Sequence, residues 1–70
     1  MMPLTMLNEG EPGVIARIGG KDETRRFLEN LGFVTGASVM VVSKSQGNVI
    51  VNVKGSRIAI GKDMANKITL

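Results

Sequence analysis

Histidine and cysteine are both absent from this 70-residue sequence. That removes the side chain most used for proton transfer near neutral pH, together with the thiolate nucleophile. The four serines, Ser38, Ser43, Ser45 and Ser56, have no imidazole to activate them. Six carboxylates remain, Glu9, Glu11, Asp22, Glu23, Glu29 and Asp63, but they fall in turns or on the polar side of the one helical segment, where a solvated surface role is expected. Two glycine-lysine steps, Gly20-Lys21 and Gly61-Lys62, look like the end of a phosphate-binding loop. Such a loop needs an earlier glycine at a fixed spacing and a hydroxyl after the lysine. Here Ile15 and Ser56 occupy the first place and Asp22 and Asp63 the second, so that route to nucleotide binding is excluded.

A metal would have to be held by hard carboxylates, which suit magnesium or calcium, or by the thioethers of Met1, Met2, Met6, Met40 and Met64, which suit copper(I) when clustered. Met6, Met40 and Met64 read instead as core filler, and the N-terminal methionines as a frayed end. A ligand pocket of about 300 Å³ or more is not expected, because one small core is filled by its own side chains. Proline-peptide grooves and single-strand stacking platforms both need exposed aromatics. Only Phe27 and Phe33 are available, and both read as core. The expectation is therefore no catalytic, cofactor-binding or metal-ligating residue, no cofactor, and no enzyme.

The elements that must position these side chains follow from length and patterning. A chain of this size forms a single domain, 1–70, since it has too little apolar surface for a second core. The apolar fraction of 43% and charged fraction of 21% are those of an ordinary globular protein. Without cysteine, packing alone must hold it, and a reducing, cytoplasmic location is expected. The uncharged stretch 31–43 is too short to cross a bilayer and contains Gly32 and Gly36. The net charge of +3 is spread over scattered basic residues mixed with acids, which reads as a solvated surface.

Residues 1–7 are expected to form an extended arm, and 14–18 a first strand closed by Gly19-Gly20. From Asp22 the period changes. Asp22 reads as an N-cap, Phe27, Leu28 and Leu31 recur at helical spacing, and Gly32 stands where a left-handed C-cap belongs, predicting a helix over 22–31. Asp22 with Arg26 and Arg25 with Glu29 are spaced to pair on its outer face. Strands are predicted over 38–43 and 49–53, joined by a polar tip at 44–48. A tight Gly55-Ser56 turn leads to a further strand over 57–60, and Asp63 caps a single helical turn before a last strand through Ile68 and Leu70. The fold class is mostly β, a small barrel of about five strands with one inserted helix, because closure removes exposed sheet edges.

The ordered set Gly13-Val14 to Ile18-Gly19-Gly20, then Arg25, Leu28, Leu31-Gly32-Phe33 and Gly36, then Val39, Val51-Asn52-Val53, Gly55, Ile58-Ala59-Ile60, Ala65 and Ile68 covers almost the whole chain. It resembles the FeoA family of ferrous iron transport protein A, most specifically in RRFLENLGFVTG followed by GSRIAIGKDMANKITL. The resemblance implies an SH3-like β-barrel and a cytoplasmic accessory of bacterial ferrous iron uptake. Its implied partner is the large membrane protein FeoB, which has a GTP-binding domain. A similar domain occurs at the end of some metal-dependent repressors; with no DNA-binding helical region preceding it here, the transport accessory is the closer comparison.

Leu31-Gly32-Phe33 and Gly55-Ser56 read as builders of the fold. Partner contact is expected from exposed groups: Arg25, Arg26 and Glu29 on the helix, Gln46 and Asn48 at the hairpin tip, and Arg57. Weak self-association is compatible with the same surface. Two other function classes are a nucleic-acid-binding small barrel, suggested by the fold and a pI near 9.8, and a domain that binds ferrous iron directly.

Overall fold

A computed structural model describes residues 2–70. The chain begins with a 3-10 turn, Leu4–Met6, followed by strands β1 (Pro12–Val14) and β2 (Arg17–Ile18) and helix α1 (Asp22–Asn30). The meander β3 (Ser38–Ser45), β4 (Asn48–Val53) and β5 (Ser56–Gly61) follows, then the one-turn helix α2 (Lys62–Ala65) and β6 (Ile68–Thr69). One antiparallel sheet has the order β1-β3-β4-β5, and β2 pairs antiparallel with β6 in a second. The mostly β reading holds, with six strands where about five were expected.

The extra strand comes from a division of 14–18. Val14 lies opposite Ser38 in the large sheet, whereas Arg17 lies opposite Thr69 in the small one. The Ile15 N–H donates to the Ala37 carbonyl (2.9 Å) and the Ala16 N–H to the Thr69 carbonyl (2.8 Å), so the chain changes sheet between these neighbours. The two sheets share this crossing strand and enclose one core.

Fourteen apolar side chains are buried and no polar or charged one is among the described residues, so the core is wholly hydrophobic. Val39, Val41, Val49, Val51, Val53 and Ile60 supply the inner face of the large sheet, and Ile15, Ile18, Leu28, Phe33 and Ile68 close over it. The alternation in β4 is what places Val49, Val51 and Val53 on one side. In β3 the register shifts between Val41 and Ser43, a bulge that bends the strand over the core.

The hairpins are tighter than the sequence suggested. β3 runs to Ser45 and pairs with Asn48, leaving Gln46-Gly47 as the whole turn. The longer arm is held by the N-terminal segment: the Lys44 N–H donates to Glu9 Oε2 (2.8 Å) and Lys44 Nζ to the Thr5 carbonyl (2.9 Å). The second turn is Lys54-Gly55 rather than Gly55-Ser56, because Ser56 already pairs with Val53. Lys54 and Gly55 both have positive φ, +50° and +78°, as the twist of a two-residue hairpin requires.

The N-terminal arm is tied to the C-terminal end of the chain. Met2 and Leu70 exchange backbone hydrogen bonds, Pro3 bridges Thr69, and Leu4 and Leu7 are buried. Met1, assigned to the frayed end, lies outside the described residues. Met6 and Met40 are exposed, so neither fills the core; Met64 packs partly against it.

Candidate functional site

Helix α1 ends as its sequence predicts. The Gly32 N–H donates to the Glu29 carbonyl and the Phe33 N–H to the Leu28 carbonyl, both at 3.0 Å, and Gly32 has a φ of +106°. This is a Schellman cap, with Leu28 and Phe33 both buried beneath it. The start of the helix differs from expectation. Lys21 is the N-cap residue, without a side-chain hydrogen bond, and Asp22 is already helical. The Asp22 carboxylate accepts from Arg25 Nη2 at 2.8 Å, three residues on, instead of from the backbone. Neither expected pair, Asp22 with Arg26 or Arg25 with Glu29, forms. Asp22 and Glu23 still place negative charge near the positive end of the helix dipole.

Only Leu28 of this helix is buried. Phe27, expected in the core, is 49% exposed. The helix therefore meets the sheets along one narrow ridge and leaves its charged flank open beside β2. Between them lies an open cleft of about 570 Å³, lined by Ala16, Arg17, Ile18, Asp22, Arg25, Arg26, Glu29 and Thr35. The volume that a small core was not expected to provide thus arises outside the core. With Arg25 engaged by Asp22, the charged side chains left to face an incoming group are Arg17, Arg26 and Glu29. The cleft can make charge-assisted hydrogen bonds to a partner of mixed charge.

Of the residues expected to contact a partner, the structure brings Arg25, Arg26 and Glu29 together in this cleft. It separates them from the rest. Gln46 and Asn48 flank Gly47, which lines a second open cleft of about 480 Å³ with Gly61, Lys62, Asp63 and Met64. Arg57 lies opposite Asn52, toward the other end of the β4-β5 ladder. Arg17 and Thr35 join the first cleft without any local sequence signal, since their placement depends on the change of sheet after Ile15. Among the described residues, no three His, Cys, Asp or Glu side chains converge to hold a metal ion.

The family model described as the FeoA domain matches residues 2–70. The chain belongs to the FeoA family. An Fe(2+) transport protein A assigned in Methanocaldococcus jannaschii is 35% identical over 68 residues, covering 97% of this chain and 83% of that protein. The crystal structure of an iron uptake regulatory protein, FeoA, superposes with a TM-score of 0.89 at 31% identity, over 96% of this chain and 91% of that one. The zinc-complexed FeoA of Stenotrophomonas maltophilia, described as an SH3 domain protein, gives 0.85 at 27% identity, over 99% of this chain and 88% of that one.

A manganese-dependent transcriptional repressor has a TM-score of 0.86 at 20% identity, over 94% of this chain and 38% of that one. It shares the fold alone. The FeoA relatives establish both the SH3-like architecture and an association with ferrous iron transport. No helix among the described residues is long and apolar enough to cross a membrane. Among the described residues of this FeoA domain no charged side chain is buried, and charges of α1 and β2 line the cleft together.

Proposed function

We propose that this chain is a cytoplasmic accessory of ferrous iron uptake that acts by protein contact with a FeoB-like membrane transporter, through the transporter's cytoplasmic GTP-binding domain. The α1-β2 cleft carries this reading. It gathers Arg17, Arg26 and Glu29 at an open surface outside a wholly apolar core, an arrangement suited to recognising another protein. Similarity to the iron-transport relatives supplies the process in which that contact works.

The test is retention of this chain by the immobilised GTP-binding domain of the cognate transporter. Reversing charge in the cleft, with Arg17→Glu and Arg26→Glu together, is expected to reduce retention about tenfold. The melting temperature should be unchanged, because both side chains are exposed. Deletion of the gene should lower ferrous iron uptake in iron-limited cells. Unchanged uptake after deletion would overturn the proposal.

A further inference from the structure

The two edges of the four-stranded sheet are built differently. At β1 the edge carries Pro12, which has no N–H to offer and blunts pairing with another chain. At β5, the other edge, residues Ser56–Gly61 contain neither proline nor a bulge.

The hydrogen bonding of β5 shows which backbone groups are free. Val53 and Ser56 close a two-residue turn and form a hydrogen-bonded pair, so the pairs of Val51 with Ile58 and Val49 with Ile60 are hydrogen-bonded too. The Lys62 N–H donates to the Gly47 carbonyl at 3.0 Å, which continues the same alternation one step beyond the strand. The N–H and C=O groups of Arg57 and Ala59 therefore point away from β4. Among the described residues no other strand pairs with β5, and Arg57 and Ala59 are both exposed. This is a row of alternating donors and acceptors at strand spacing, and the group that satisfies it is an extended backbone.

Charge specifies what that backbone carries. Between Glu29 and Asp63 the sequence contains no acidic residue but has Lys44, Lys54, Arg57 and Lys62. Lys44 is occupied by Thr5, and the Glu9 carboxylate accepts from its backbone N–H. The other three border β5, at its turn, on its outer face and at its end. Ile58, between Arg57 and Ala59, faces the opposite way and is only partly buried.

We infer that the β5 edge binds an extended, acidic segment of a partner protein as an added strand. Acidic side chains of that segment face Arg57, and apolar ones face Ile58. A second copy of this chain fits less well. A two-fold register centred on Ala59 leaves Arg57 opposite Gly61, with no acid to meet it; one pairing Arg57 with Ala59 sets Lys54 opposite Lys62 of the copy, and one centred on Arg57 sets arginine opposite arginine. Directly opposed like charges destabilise a strand pair. The surface is separate from the α1-β2 cleft, and the inference does not depend on the contact proposed there.

The probe is a blocked octapeptide alternating glutamate and valine, titrated into the full chain while amide exchange is followed by NMR. The expected result is slowed exchange at the N–H groups of Arg57 and Ala59, with Val14 at the proline-blunted edge unchanged. Ala59→Pro, which removes a free edge donor, should weaken binding at least tenfold. Arg57→Glu, which leaves the backbone intact and serves if the proline variant fails to fold, should weaken it at least threefold. Absence of protection at Arg57 and Ala59 would overturn the inference. So would tighter binding of an oligouridylate RNA at the same edge, or protection of those amides by self-association without peptide.

Discussion

Phe27 and Phe33 are indistinguishable as residue types, yet one is half exposed and the other wholly buried. Phe33→Ala is expected to cost about 3–5 kcal/mol, the usual range for emptying a core aromatic site. Phe27→Ala should cost under about 1 kcal/mol. Urea unfolding of the two variants checks the contrast. Gly32 makes a different demand. A Cβ there would sit at ordinary contact distance from Lys54 and Val53, 3.6 Å at the nearest, so space is not the constraint. The φ of +106° is. Gly32→Ala should therefore destabilise by about 1–2 kcal/mol through backbone strain, read as a drop in melting temperature with the fold retained. The Arg25-Asp22 pair, with both side chains largely exposed, is worth little. Arg25→Ala should change stability by less than about 1 kcal/mol.

At the scale of elements, α1 is the least anchored of the long segments. Its nine residues bury one side chain, Leu28, and its C-terminal cap ties it to Phe33. The β3-β4-β5 meander instead interlocks five buried valines and Ile60. Hydrogen exchange should consequently show α1 amides opening at lower free energy than those of β4, the central strand of the meander, because local stability follows buried apolar contact. Leu28→Ala should widen that difference by releasing the helix while the sheet stays protected. Equal exchange free energies across α1 and β4 in that variant would contradict this account of the docking. A loosely seated helix also suits a contact surface, since its charged flank can adjust to a partner without disturbing the core.

Across the whole molecule, the chain ends are structural. The 3-10 turn contributes buried Leu4, Leu7 follows it into the core, and Met2 and Pro3 join the C-terminal strand. Removing residues 1–7 would expose those two leucines' partners and leave β6 paired only with β2. Each buried leucine is worth about 2–5 kcal/mol, against a total stability of about 5 kcal/mol expected for a domain this small. The truncated chain should lose its cooperative thermal transition, as monitored by circular dichroism.

Local chemistry made much of this legible in the sequence. The Gly32 cap, the alternation of Val49, Val51 and Val53 and the helix that begins at Asp22 all follow from residue types within a few positions of one another, and the lack of histidine and cysteine is read from composition. Arg25, Arg26 and Glu29 were also legible as neighbours, because helical spacing fixes which residues share a flank. Tertiary structure decided the rest. The division of 14–18 between two sheets depends on Ala37 and Thr69, which lie far along the chain. That crossing brings Arg17 to the helix and opens the cleft. The exposure of Phe27 and Met40 depends on which ridge or face meets the core, a choice made by distant partners. Hydrophobicity is a property of a residue, whereas burial belongs to the packed pair, and only the fold determines which pairs exist.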